Sequence, residues 1–98
     1  MEARVAVSSS VPADVVAALR AERFEIVETH GDLAIVGASE LPAPRPVLVL
    51  ARAAEVVAAF AAGADDVVVL PADPREVAAR AEAILRRTQR VRQSFDDG

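Results

Sequence analysis

The chain reads as an α/β domain with a mostly parallel five-stranded sheet and about three helices, in the order β-α-β-β-β-α-β-α. Three observations predict this. The apolar runs Leu33–Val36, Val47–Leu50 and Val67–Leu70 do not alternate with polar residues, which suits strands covered on both faces. Amphipathic stretches with helix boundary signals lie between and after them. No series of regularly spaced hairpins is visible. A length of 98 residues makes one domain, assigned to residues 1–92, with a polar tail over 93–98.

Each element has its own signal. Arg4-Val5-Ala6-Val7 is the first strand, and Ser8-Ser9-Ser10 is the loop after it, with a serine placed to cap the next helix. Pro12 suits a first helical turn, Val15, Val16 and Leu19 form an apolar face, and Arg20, Glu22 and Arg23 mark the polar side and the end. Phe24–Glu28 alternates in part and reads as a strand near the sheet edge, where its glutamates discourage pairing with another chain. Thr29-His30-Gly31-Asp32 is turn chemistry, and Leu33–Val36 is a central strand. Pro42, Pro44 and Pro46 make Ala38–Pro46 extended and non-helical. After the strand Val47–Leu50, Ala53–Ala62 reads as a helix with Val56, Val57 and Phe60 inward and Gly63 at C′. Val67–Leu70 is the last strand. Asp73-Pro74 starts the last helix, with the stripe Val77, Ala81, Ile84 and Leu85 and with Arg80, Arg86, Arg87 and Arg90 in its later turns. Ser94–Gly98 is expected to fray.

Composition excludes several chemistries. The chain has no cysteine, so disulfides, thiolate metal sites and cysteine nucleophiles are out. A single histidine, His30, excludes a multi-histidine metal site. All eleven basic residues are arginine, which excludes lysine-dependent Schiff-base and phosphotransfer sites. A net charge of −4 and aromatics at 3% argue against binding nucleic acid or an anionic membrane. With no signal-peptide pattern and no long apolar run, the expectation is a cytoplasmic domain.

Gly63-Ala64-Asp65-Asp66, the run to Leu70-Pro71, the helix Glu76-Val77-Ala78-Ala79-Arg80 and the closing Leu85-Arg86-Arg87 resemble the last third of bacterial response-regulator receiver domains. The similarity is greatest to the winged-helix transcription-factor subfamily, and a looser register extends it over nearly the whole chain. The resemblance implies a truncated flavodoxin-like fold. It also implies where the chemistry would sit: an acidic pair, a nucleophilic aspartate, a hydroxyl and a lysine around a magnesium ion. Those positions fall on Ser9 and Ser10, Gly37, Ala51 and Leu70, and the aromatic switch position falls on Val67. Each has lost the group the chemistry needs. The expectation is a degenerate receiver, a pseudo-receiver without catalysis or cofactor. It would act as a regulatory or dimerisation module of a response regulator, beside an effector such as a winged helix in a longer parent protein. By the same resemblance Asp65, Asp66, Glu76 and Arg80 are candidate dimer contacts, although the basic partner expected on the preceding helix falls near Val56.

Two further readings weigh against these. The crevice at the strand ends, around Ser8–Ser10, Gly37 and Ala51, could instead sense a small ligand. Glu76 and Arg80, four apart on one helix face, could be a local ion pair. Receivers carry helices between the second and third and between the third and fourth strands; here those links shrink to about Thr29–Asp32 and Ala38–Pro46. A link of about five residues reaches at most about 17 Å, and a parallel return over one neighbour needs about 16 Å. The alternative is a hairpin at His30-Gly31 with Gly31 at positive φ. The unbroken Leu33–Val36 run favours the parallel route. Losing two helices also uncovers one sheet face, which a homodimer could cover.

Overall fold

Five strands form one sheet in the order β2-β1-β3-β4-β5, and every neighbouring pair is parallel. They are β1 (Arg4–Val7), β2 (Glu25–Val27), β3 (Leu33–Gly37), β4 (Val47–Ala51) and β5 (Asp66–Val69). The helices are α1 (Ala13–Ala21), α2 (Val56–Ala61) and α3 (Pro74–Asp97). The computed structural model describes residues 3–97, with side chains described through Thr88.

The β2–β3 link is parallel, as the apolar β3 run favoured, and it has no helix. It crosses the β1 backbone so closely that a Cβ on Gly31 would lie 2.7 Å from the Ala6 nitrogen and 2.9 Å from the Arg4 carbonyl oxygen. Positive φ falls on His30, at 60°, rather than on Gly31. Gly31 is therefore required for close approach, not for a hairpin turn. Next to it, the Asp32 amide donates to the Arg4 carbonyl at 2.7 Å, and Asp32 Oδ2 accepts from the Arg4 amide at 2.9 Å.

The two sheet faces are unequal. Val5, Leu33, Ile35, Leu48, Leu50 and Val68 pack against Val15 and Leu19 of α1 and Val77, Ala81, Ile84 and Leu85 of α3. Among the described residues the other face carries only α2 and the proline segment, over Val47, Val49, Ala51 and Val67. Ala34 and Val36 on that side are only half-buried, so β3 is not fully covered on both faces as its unbroken apolar run suggested. Edge strand β5 departs further: Val69 is 46% exposed and Leu70 38%.

Short helical turns explain two more departures. Ala38–Glu40 is a 3₁₀ turn, ahead of the prolines in a segment read as wholly extended. Ala53–Glu55 is another, and α2 proper starts only at Val56. A 3₁₀ turn advances about 120° per residue against about 100° in an α-helix, so the apolar stripe is rotated. Ala59 is the buried residue, while Val57 and Phe60, read as inward, are 82% and 47% exposed. No serine caps α1; its N-cap is Pro12, with no side-chain bond. By contrast Asp73 Oδ1 accepts from the Arg75 amide at 2.9 Å at the start of α3. That helix runs on to Asp97, through the stretch expected to fray, because residues 75–97 hold no glycine or proline to stop it. Gly98 lies outside the described residues.

Helices α1 and α2 end the same way with different residues. The Arg23 and Phe24 amides donate back to the Arg20 and Leu19 carbonyls, and the Gly63 and Ala64 amides to those of Phe60 and Ala59. Both are Schellman motifs with a buried apolar residue, Phe24 or Ala64, after the left-handed position. Gly63 takes φ of 108° freely, but Arg23 is held at 69°. Arg23→Gly should therefore stabilise the domain, by about 1 kcal/mol. A urea titration measures this, and an unchanged or lower midpoint would contradict it.

Candidate functional site

The five positions singled out by the family pattern do gather at one end of the sheet. Parallel strands put their C-terminal ends on the same edge, where α/β sheets bind ligands. Ser9 and Ser10 follow β1, Gly37 ends β3, Ala51 ends β4, and Leu70 follows β5. The Leu70 amide donates to the Ala51 carbonyl at 2.8 Å, and the Ser8 amide to that of Ile35 at 3.0 Å. Ala51 is fully buried.

The group that organises this crevice is one the sequence reading passed over. Glu40, on the 3₁₀ turn after β3, folds back over the strand ends. Its Oε1 accepts from the Gly37 amide at 2.7 Å and from Ser10 Oγ at 2.6 Å, and its Oε2 accepts from Ser8 Oγ. The Ser10 amide donates to Ser8 Oγ at 3.2 Å. A carboxylate three residues into a helical turn that reaches back to the amide before it is half of a capping box. Arg52 and Glu55 repeat it after β4, at 2.9 Å. The hydrogen bonds from Ser10, then Ser8 and Gly37, hold the Glu40 carboxyl below the usual range. Its share of stability is complete above the ordinary carboxylate range and is lost as pH falls through the depressed value.

Chemically, the crevice offers one carboxylate already saturated by two hydroxyls and an amide. A Cβ on Gly37 would lie 3.2 Å from Glu40 Oε1 and 3.3 Å from Ser10 Oγ, so Glu40 stands where a side chain from the end of β3 would project. Among the described residues, no group of three or more His, Cys, Asp or Glu side chains could hold a metal ion.

The candidate dimer contacts divide. Asp65 and Asp66 turn to different partners. Asp65 accepts from Arg45 Nη2 at 2.6 Å and from the Val47 amide at 2.8 Å. Burial pushes the Asp65 carboxyl up, but these bonds outweigh it and hold it below the usual range. Asp66, Glu76 and Arg80 do come together: Arg80 bridges Asp66 at 3.0 Å and Glu76 at 3.1 Å. All three are partly exposed, so the network adds little to stability. Beside it, edge strand β5 and helix α2 leave Val57, Phe60, Val69 and Leu70 open. Arg86 and Arg87 are exposed on α3, while the side chains of Arg90 and Arg92 lie outside the described residues.

No protein-family model matches the chain, and no curated protein matches its sequence. Solved structures do resemble it. NtrX from Brucella abortus, crystallised alone and in complex with ADP, superposes with TM-scores of 0.81 and 0.80 at 17% identity. The whole of this chain is covered in both matches, but it spans only 30% of the NtrX chain. A response-regulator structure from Chloroflexus aurantiacus matches over 88% of this chain and 99% of its own, with a TM-score of 0.67 and 20% identity. Among the described residues no helix is long and apolar enough to cross a membrane. The parallel sheet, its strand order and these likenesses agree on one architecture: the chain has a truncated flavodoxin-like, receiver-like fold, with three helices around five strands.

Proposed function

We propose that the chain is a phosphorylation-independent pseudo-receiver, a regulatory module that works by pairing with a second copy. The observation that carries this is the Glu40 carboxylate held over Gly37 by Ser8, Ser10 and the Gly37 amide. Phosphoryl transfer to a carboxylate needs a free nucleophile, a cation site and a cationic donor for the transferred oxygens. Here the end of β3 carries glycine, the positions after β1 carry serine, and Leu70 stands in for lysine. Incubation with acetyl phosphate and Mg²⁺ should leave the intact mass unchanged. A gain of one phosphoryl group, abolished by changing one particular carboxylate, would refute this part of the reading.

The surface around β5 supports the pairing. It combines exposed Val57 and Phe60 with the Asp66–Glu76–Arg80 ion pairs, so burial and charge could act together. In a longer parent protein such a dimer would set the spacing of an effector, for which a winged helix is the proposal. Sedimentation equilibrium should give a dimer that Arg80→Glu and high salt both weaken. A monomer at high protein concentration would end the assembly reading. A dimer indifferent to both would move it to the thinly covered sheet face.

A further inference from the structure

We infer that the groove on the α2 side of the sheet binds a small, flat, positively charged organic ligand. The groove, half open to solvent, has a volume of about 930 Å³ over β1 and β3, in the space beside the two short links. Its volume lies in the range of small-ligand pockets, roughly 300–1,000 Å³. The groove adjoins the crevice that Glu40 fills from within and shares Ser8 and Glu40 with it, and the inference does not rest on the proposed dimer.

The floor explains the shape. Ala6 and Ala34 are cross-strand partners and line the groove beside Val36. Two facing methyl groups in mid-sheet make a low, smooth, apolar platform, which a planar ring system can cover with little loss of contact. The Glu28–Gly31 crossover forms one wall and Ala43–Pro46 the other, with Ser8, Ser9 and Glu40 also lining the space. Gly31 is pinned against β1, so the first wall is fixed by backbone packing.

The lining decides the charge. Glu28 supplies a carboxylate, and Glu40 adds a second negative charge, since the hydroxyl and amide donors that fill its hydrogen bonds are neutral. Arg45 also lines the groove, but its guanidinium is held by Asp65 at 2.6 Å. Glu40 is kept ionised by its hydroxyl and amide donors. Glu28, Thr29, His30 and Ser9 make no side-chain hydrogen bond among the described residues, so they are free to meet polar groups on a ligand. An anionic occupant would face two carboxylates with its natural counter-ion already engaged. A cationic one would face both, over an apolar floor.

A matched trio of probes tests this: 2-naphthamidine, 2-naphthamide and 2-naphthoate, titrated into the ¹⁵N-labelled chain and followed by amide chemical shifts. The amidine should shift Ala6, Thr29, His30, Gly31, Ala34 and Val36, and should bind roughly five- to tenfold tighter than the naphthoate. Glu28→Gln should narrow that ratio. Ala34→Leu, which extends a half-buried side chain into open space, should abolish binding while keeping the dispersed spectrum of the folded chain. No shift at the lining amides up to the solubility limit of the amidine would overturn the inference, as would equal binding of amidine and naphthoate. Retained amidine binding in the folded Ala34→Leu variant would do the same. So would lining amides that shift with protein concentration and not with amidine, since the occupant would then be a second copy.

Discussion

Gly31→Ala should lower the unfolding free energy by about 3 kcal/mol, a loss that overpacking against fixed atoms can reach. For a domain of this size that is a fall in Tm of roughly 12–24 °C. The added methyl would sit 2.7 Å from the Ala6 nitrogen, 2.9 Å from the Arg4 oxygen and 3.0 Å from the Leu33 oxygen. All three are backbone atoms, and β1 is paired on both sides, so none can move without disturbing the β2-β1-β3 ladder. The crossover cannot retreat either, because Asp32 ties it to Arg4 through two hydrogen bonds. Gly63→Ala is the control. Nothing lies within 4 Å of its Cβ site, so only its left-handed φ of 108° resists, at about 1–2 kcal/mol. Thermal melts of both variants decide the matter. A Gly31→Ala loss no larger than that of Gly63→Ala would show that the crossover yields.

Gly37→Asp should destabilise the domain by about 2 kcal/mol, and adding Glu40→Ala should recover at least half of it. Part of the loss is steric, since the new Cβ would lie 3.2 Å from Glu40 Oε1 and 3.3 Å from Ser10 Oγ. The rest is the approach of a second carboxylate to one that is already ionised, moderated by the exposure of the site. Glu40→Ala alone should cost about 1 kcal/mol, from the lost bonds to Ser8, Ser10 and the Gly37 amide. The four chains form a double-mutant cycle by urea denaturation. Strict additivity would mean that Glu40 does not occupy the space above Gly37 in solution.

Much of the fold was legible because the strongest signals were redundant. Unbroken apolar β3 and β4, the Asp73-Pro74 helix start and the Val77–Leu85 stripe each named their element by more than one criterion. What escaped was decided by rotation and by edges. Reading Val57 and Phe60 as inward assumed an α-helix from Ala53, and three residues of 3₁₀ turn were enough to aim them outward. Val69 and Leu70 look like core residues in sequence, but among the described residues no strand lies beyond β5, and α2 is short. Glu40 had a signal that went unused. Gly37-Ala38-Ser39-Glu40 and Arg52-Ala53-Ala54-Glu55 both follow a strand and place a glutamate three residues after a turn entry. The prolines that come next obscured the first of these. The gathering of Asp66, Glu76 and Arg80 was readable only in part, since helical spacing links the last two while Asp66 joins through the packing of α3 on β5.

The placement of α3 has a consequence for synthesis. It follows all five strands in the chain, yet it supplies one whole side of the larger core, with Val77, Ala81, Ile84 and Leu85 set against residues of α1 and the sheet. A nascent chain that has emerged only as far as β5 can pair its strands but leaves Val15, Leu19, Ile35 and Leu48 without that cover. Such intermediates are sticky, and their exposure lasts as long as translation takes to deliver the missing surface. At about 5–20 residues per second the delay from β5 to Leu85 is of the order of one to a few seconds. The ribosome and the factors around its exit tunnel thus meet this domain as an open half-sandwich, and its commitment to the native state waits on the release of a single helix.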